Sequence, residues 1–426
     1  MKILVIGSGG REHAICWKIN QNPDVKRIYC IPGNGGIEEI AECPKNISAG
    51  DFKQLAAFVK EHQIDFTIVG PEQPLVDGIV DYFNSINLPI FGPNQTAAKI
   101  EGSKIFSKQL MAKYNIPTAQ FEEFYEASKA LDYLNSLPEK PIVVKADGLA
   151  AGKGAIVCPD LNCAREAVDN MMNKQVFSEA GSKIIIEEFM TGEECSIFVI
   201  TDGKDYITLS PAQDFKRALD DDQGKNTGGM GSYAPTPFLA PELKARTIKE
   251  VIEPTLSAFQ SEGIEYTGVL YCGLMLTPQG PKVVEFNCRF GDPETQVVLP
   301  LLNSDLLEIM QATHERRLGE IRVELHDQFA ACVVLASGGY PEAYEKGKVI
   351  SGWGNLPEDV IVFHAGTKRE DGKIVTNGGR VLAVTSIAES LSDATKQAYY
   401  GIEELDFENM HYRNDIAERA IIKFFR

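Results

Sequence analysis

A chain of 426 residues, 44% hydrophobic and 24% charged, has globular composition and is too long for one comfortable core, so two to four domains are expected. Its formal net charge of −18 argues against nucleic acid or an anionic membrane as partner, because both need a positive face. An anionic nucleotide stays compatible, provided that positive groups gather at one site.

The opening residues MKILVI form a strand pattern too short for a signal-peptide core, and no apolar run reaches bilayer-spanning length, so a cytoplasmic protein is expected. The nine cysteines lack any C-x-x-C pair and read as reduced thiols, mostly in cores, with no support for zinc. Over the first hundred residues, strand patterns at 2–6, 27–31, 65–69 and 89–91 alternate with helical spacing at 12–19, 51–62 and 75–83. That alternation predicts an α/β unit, a doubly wound parallel sheet with helices on both faces and ligands at the strands' carboxyl ends. The loops there are GSGGREH (7–13), PGNGG (32–36), GPEQP (70–74) and GPN (92–94). The first invites a dinucleotide reading that fails: Glu12 stands where the third glycine belongs, and no acidic residue closes the second strand. What remains is a phosphate or ribose phosphate at the helix N-terminus, or merely a tight turn.

A second unit, roughly 118–190, has strand runs at 141–146, 154–158 and 183–189. A third, roughly 191–325, holds CSIFVI, EYTGVLYCGLML and KVVEFN as strands, and a strand-rich unit follows to residue 426. Within the third, the polar, glycine-rich stretch 214–231 lacks hydrophobic periodicity and is long for a connection, which marks it as functional or disordered.

Three segments carry chemistry. PIVVKADGLAAGKG (141–154) runs from a buried-strand pattern into a glycine-dense loop with Lys145 and Lys153. Glycines let backbone amides approach a phosphate, and lysines supply charge. The spacing is not that of a P-loop: three residues rather than four separate Gly148 from Gly152, and Gly154 follows Lys153. EGSK places Lys104 near a helix start; alone it reads as a solvated charge, but two lysines flanking a glycine loop in so acidic a chain are less easily dismissed. IIIEEFMTGEECS sets Glu187–Glu188 and Glu193–Glu194 around Gly192, at a crossover where a ligand could lie. KVVEFNCRFGDPET is the strongest metal signal. Glu285 and Asn287 alternate on a strand and share a face, as hard oxygen donors suited to Mg²⁺ held jointly with nucleotide phosphates. Arg289 falls on that face, with Asp292 and Glu294 just beyond, and so polar a buried face is costly without partners.

Taken in order, GSGGREHA, PGNGG, VGPEQPLVDG, EGSKIFSK, KADGLAAGKG, EEFMTGEE, NTGGMGSYAP, GVLYCGLM and EFNCRFGDPET resemble the ATP-grasp superfamily and, within it, the family of phosphoribosylamine–glycine ligases. The resemblance spans essentially residues 1–300. It implies an N-terminal pre-ATP-grasp domain (1–102), an ATP-grasp region (103–325) divided into a mobile lid (about 118–190) and a central domain (about 191–325), and a β-rich C-terminal domain (326–426) closing over the acceptor. It also implies ATP-dependent joining of glycine to 5-phosphoribosylamine through glycyl phosphate, with Mg²⁺ or Mn²⁺, in purine biosynthesis. By this resemblance Lys104 and Lys145 hold the ATP phosphates under a loop containing Gly148, Gly152, Lys153 and Gly154. Glu187, Phe189 and Met190 belong to the hinge meeting adenine, Glu194 takes the ribose hydroxyls, and Glu285 and Asn287 hold the metal. A third, earlier carboxylate usual in grasp enzymes has Cys272 at its place.

For the acceptor the expectation is looser: Gly9, Gly10, Arg11 and Glu72 face the phosphoribosyl group, and Arg380 its phosphate, since guanidinium binds phosphate with two prongs. Glycine's ammonium is expected at Asp214 and its carboxylate at Arg289, with Asp292 nearby. Two positions depart from the family pattern, Phe215 for a usual histidine and Lys225 for a usual proline. The partners expected are small molecules, with a monomeric chain and a transient contact to an upstream amidotransferase, although no residue here encodes that contact.

Overall fold

The computed structural model describes residues 1–150 and 154–425. Strands β1 (Lys2–Gly7), β2 (Arg27–Pro32), β3 (Phe66–Val69) and β4 (Ile90–Phe91) form an all-parallel sheet ordered β2-β1-β3-β4. Their apolar runs are buried on both faces, as a parallel sheet under helices requires. Ile3, Val5 and Cys30 pack with helix α1 (Gly10–Ile19), while Leu4, Ile6 and Ile31 share a core with α2 (Phe52–His62). The single helix expected over 75–83 is instead two, α3 (Glu72–Val76) and α4 (Ile79–Ser85). They part at Gly78, whose φ of +90° is left-handed and costs little only for glycine. Glu72 thereby sits in the first turn of α3, directly after GPEQP begins. Helices α5 (Gln95–Gly102) and α6 (Lys104–Lys113) lead out of this unit.

Next comes an antiparallel sheet of β5 (Phe121–Phe124), β6 (Ile142–Ala146), β7 (Ala155–Cys158) and β8 (Ile184–Glu188), ordered β5-β8-β6-β7. Helices α7 (Ala127–Ser136) and α8 (Leu161–Val168) bury Leu134 and Ala164 against Val144 and Ile186 in a core of its own.

The chain then forms β9 (Glu193–Thr201), β10 (Tyr206–Thr208), β11 (Gln213–Asp214), a hairpin of β12 (Arg217–Leu219) and β13 (Gln223–Asn226), β14 (Gly231–Ala234), β15 (Gly268–Thr277) and β16 (Gly280–Asn287). Strands β10-β9-β15-β16 make a second antiparallel sheet. The stretch 214–231, unreadable by periodicity, is built from short paired strands rather than disordered. Beyond it β17 (Phe329–Ala336), β18 (Val360–His364), the hairpin β19 (Thr367–Glu370) and β20 (Lys373–Thr376), and β21 (Arg380–Ala388) complete the strands. The sheet β11-β14-β17-β21-β18 draws its first two strands from before residue 235, and so carries Asp214 on one edge and Arg380 at the head of β21. The N-terminal and central sheets share continuous cores, unlike the unit of β5 to β8. Among the described residues no helix is long and apolar enough to cross a membrane.

Candidate active site

A cavity of about 450 Å³ opens where these units meet, a volume typical of small-molecule sites. One wall is β6 and β8 and the facing wall is β15 and β16; α5 and α6 supply a third side, and Arg11, Glu72 and Arg380 close the far end.

At the near end three lysines gather, Lys108 and Lys145 buried and Lys104 half-buried. Lys145, on β6, pairs with Glu187 Oε2 at 3.0 Å and donates to the Val284 carbonyl at 3.1 Å. Lys108, one helical turn after Lys104, reaches Glu187 Oε1 at 3.2 Å and Thr118 Oγ1 at 2.7 Å. Glu187, which also lines the cavity, faces both lysines, and Lys108, Lys145 and Glu187 together keep one net positive charge. Burial lowers the Lys108 ammonium to about 8 against the pull of Glu187, and it lowers Lys104 too. Lys104 donates to the Gly148 carbonyl at 3.3 Å, which ties the glycine loop to α6. Leu149, Ala150 and Gly154 also line the cavity, whereas Gly152 and Lys153 lie outside the described residues. Phe189 and Met190 line the cavity beside Val143 and Val157, with Phe189 43% exposed, so an apolar ring has an aromatic face to rest on.

Glu285 and Asn287 both point into the cavity from β16. Burial pushes the Glu285 carboxyl up, but Lys216, Lys145 and Lys104 outweigh it and hold the group ionised. With the amide oriented to suit its neighbours, the Asn287 nitrogen donates to Glu101 Oε1 at 3.3 Å and to the Phe286 carbonyl at 3.0 Å, which turns its oxygen towards the cavity. Cys272 cannot be the missing carboxylate's stand-in at the cavity: it is wholly buried in the opposite core, and Gly273 and Tyr271 are the residues paired with Glu285 and Asn287. Glu294, 3% exposed, is one of several acidic groups that line the cavity. Among the described residues no three His, Cys, Asp or Glu side chains are arranged to hold a metal. One carboxylate and one amide oxygen nevertheless fit Mg²⁺, which commonly completes its shell with water and phosphate oxygens.

The far end is a lattice of arginines and carboxylates. Arg289 meets Glu72 Oε2 at 3.0 Å and Glu101 Oε1 at 2.6 Å. Burial alone would raise Glu72, yet Arg289 and then Arg11 hold it down at about 2. In Glu101 burial wins and its carboxyl rises. Arg380 Nη1 meets Asp292 Oδ1 at 3.2 Å and the carbonyl of Asp292 at 2.8 Å, and also binds Gly228. Asp214, on β11, pairs with Lys216 Nζ at 3.5 Å, and Lys216 also holds Glu194. Burial lifts Asp214 to about 7, only partly opposed by Lys216.

At the N-terminus of α1 two backbone amides meet carboxylates of the chain itself. Glu12 Oε2 accepts the Gly9 amide at 2.5 Å, and Asp292 Oδ2 accepts the Arg11 amide at 3.3 Å. Cβ atoms on Gly7 or Gly70 would overlap the Glu12 side chain, which is 2% exposed and fixes Arg11 Nε at 2.7 Å. Gly9 and Gly10 thus stand behind Arg11, off the cavity wall.

Sequence reading missed Glu101, Lys108 and Lys216, though each carries a signal. Glu101 begins the EGSK motif, Lys108 lies at the same-face spacing i+4 from Lys104, and Lys216 shares the period-two face of Asp214.

Comparison with known proteins agrees across the length. Residues 1–101, 102–295 and 330–419 match the N domain, the ATP-grasp (A) domain and the C domain of phosphoribosylglycinamide synthetase. A phosphoribosylamine–glycine ligase of Caldanaerobacter subterraneus subsp. tengcongensis is 50% identical over 417 residues, covering 98% of this chain and 99% of that protein. The crystal structure of the phosphoribosylamine–glycine ligase of Thermotoga maritima superposes with a TM-score of 0.85 at 34% identity, covering 98% of this chain and all 100% of that one. A biotin carboxylase domain of Hydrogenobacter thermophilus 2-oxoglutarate carboxylase, solved with MgADP and bicarbonate, has a TM-score of 0.72 at 14% identity, covering 96% and 91%, and so shares the fold.

Proposed function

The chain belongs to the phosphoribosylglycinamide synthetase family, and from that premise we infer that it joins glycine to 5-phospho-D-ribosylamine, consuming ATP and giving glycinamide ribonucleotide, ADP and phosphate in purine biosynthesis. The observation that carries this reading is one cavity holding Lys104, Lys145, Glu285 and Asn287 at one end and Arg289, Asp214 and Arg380 at the other.

A carboxylate is a poor electrophile, so the acid must first be activated. An oxygen of the glycine carboxylate attacks the γ-phosphorus of ATP, and ADP leaves with the electrons of the broken P–O bond. The sugar amine then attacks the acyl carbon of glycyl phosphate, phosphate leaves, and a proton departs from the new amide nitrogen. Lys104 and Lys145 would neutralise the phosphoryl oxygens, where a preorganised charge is worth most. Glu285 and Asn287 would hold Mg²⁺, which when bound shields the phosphate charge. Phe189 and Met190 would receive adenine, and Glu194 the ribose. Asp214 would take glycine's ammonium and Arg289 its carboxylate, while Arg380, with Nε and Nη2 unused by the protein bonds described above, would take the acceptor's phosphate. Arg11 and Glu72 would border the sugar.

The unit of β5 to β8 has its own core and meets α6 and β16 through polar bonds such as Ser103–Asp147, Gln109–Glu123 and Lys282–Glu188 besides those of Lys104 and Lys145, which supports its acting as a lid that excludes water from the acyl phosphate. We place the protein in the cytoplasm as a monomer, with Mn²⁺ as a substitute for Mg²⁺ and a passing contact with the amidotransferase that supplies its unstable amine. Release of ADP, measured with freshly generated phosphoribosylamine while each substrate is omitted in turn, tests the reading. Turnover should require ATP, glycine and the amine together; ADP release driven by bicarbonate without glycine would contradict it.

A further inference from the structure

Arg413, in the C-terminal unit, is the largest fully buried side chain among the described residues, 1% exposed, although it is a cation and does not line the cavity. Its guanidinium is fully employed. Nε and Nη2 grip Asp415 at 2.7 and 2.6 Å, while Nη1 reaches Asp222 at 2.9 Å and the Arg217 carbonyl at 3.2 Å. Its plane also lies 4.9 Å from the centre of the Phe215 ring. Neighbouring residues repeat the grip: Asn414 binds both oxygens of Asp220, Asp415 accepts the Asp221 amide, and His411 meets the Ala218 carbonyl. All these contacts fall on the back of one strap, the stretch from β11 to β14.

The front of that strap faces the cavity. Asp214 and Lys216 line it, and between them Phe215 turns the other way, 4% exposed, into the C-terminal core. The Lys216 carbonyl then takes the amide and hydroxyl of Thr227 at 2.7 and 2.8 Å, and Gly228 next to it receives Arg380. A tilt of the strap would therefore move Asp214, Lys216 and the Arg380 anchor together.

We propose that Arg413 is a positioning residue for the ligation, which by clamping the back of this strap sets Asp214 and Lys216 at the distance glycine requires. The proposal rests on the reading that Asp214 takes glycine's ammonium, with Lys216 as the partner that holds Asp214 in place. The Phe215 ring adds to the hold, because an aromatic face attracts a guanidinium. Lysine cannot replace this arginine, because one ammonium cannot hold Asp415 with two prongs, Asp222 and a carbonyl in one plane.

The test compares Arg413→Lys, Asp222→Asn and Asp214→Asn in the intact enzyme, with KM for each of the three substrates, kcat and melting temperature. Arg413→Lys should raise the KM for glycine about tenfold while the KM for ATP stays within about twofold, as a displaced orienting group does. Asp222→Asn should shift glycine in the same direction by less, and it carries the test should Arg413→Lys not fold. If these two variants lower stability and kcat while leaving the glycine KM in place, and Asp214→Asn remains glycine-selective, the positioning role is overturned and the glycine site stands. If Asp214→Asn itself leaves the glycine KM unmoved, the glycine site falls, and the proposal with it.

Discussion

Lys104, Lys108 and Lys145 gather at one end of the cavity and Arg11, Arg289 and Arg380 at the other, with Lys216 between Asp214 and Glu194, and the two sets are held differently. Lys104 and Lys145 each keep one or two fixed partners, and Glu187 is shared between Lys145 and Lys108. Arg289 is clamped between Glu72 and Glu101, Arg11 between Glu12 and the Phe290 carbonyl, and Arg380 against Asp292. An ammonium on a flexible stem can follow a phosphoryl group as its charge and shape change, whereas a planar fork fixes direction. The lysine end is suited to transfer and the arginine end to aiming.

The largest effect should come from the lysine end. Glu285→Gln keeps the size of the side chain but removes the negative charge that three lysines hold ionised, and turnover should fall by about 10²-fold or more. Titrating Mg²⁺ against kcat checks it, because near-normal activity at ordinary Mg²⁺ would remove the metal assignment. At the other end Arg289→Lys keeps charge and loses the fork that joins Glu72 to Glu101. It should lower kcat/KM for glycine by roughly 10- to 100-fold with little change in the KM for ATP; an equal shift in both would blur the division.

A smaller effect is set by protonation. Asp214 lies at about 7, raised by burial, so its carboxylate is present above that pH and is lost as pH falls through it. A proton there cancels the attraction for glycine's ammonium. The kcat/KM for glycine should therefore decline below neutrality, and Asp214→Asn should flatten that limb; an unchanged limb in the variant would assign it elsewhere. The smallest signal is dynamic. Hydrogen exchange across β5 to β8 should slow when Mg·ATP is added, and unaltered exchange there would argue against a lid.

The lysine end was far more legible in the sequence than the arginine end, for a physical reason. Glu285 and Asn287 declare themselves through strand alternation, and Lys145 through a glycine loop beside it, so spacing along the chain suffices. The arginine end is assembled from partners far apart in sequence: Arg289 with Glu72 is separated by 217 residues, and Arg11 with Asp292 by 281. No local pattern encodes such a choice. Glu12 shows the limit well, since it was readable as the residue that spoils a dinucleotide fingerprint but not as the carboxylate that fills the space under Gly7 and Gly70. Likewise the parallel sheet followed from its apolar runs, while the break at Gly78 and the paired strands within 214–231 depended on tertiary contacts that outweigh weak local periodicity.

The division itself is tested most directly by measuring the three substrate KM values side by side in Lys145→Met and Arg380→Ala. Lys108 remains to pair with Glu187 in the first variant, so its fold has a built-in safeguard. The first should raise the KM for ATP and leave that for phosphoribosylamine near its original value, and the second should do the reverse. Variants that both shift the same substrate would contradict a cavity with separate ends for nucleotide and acceptor.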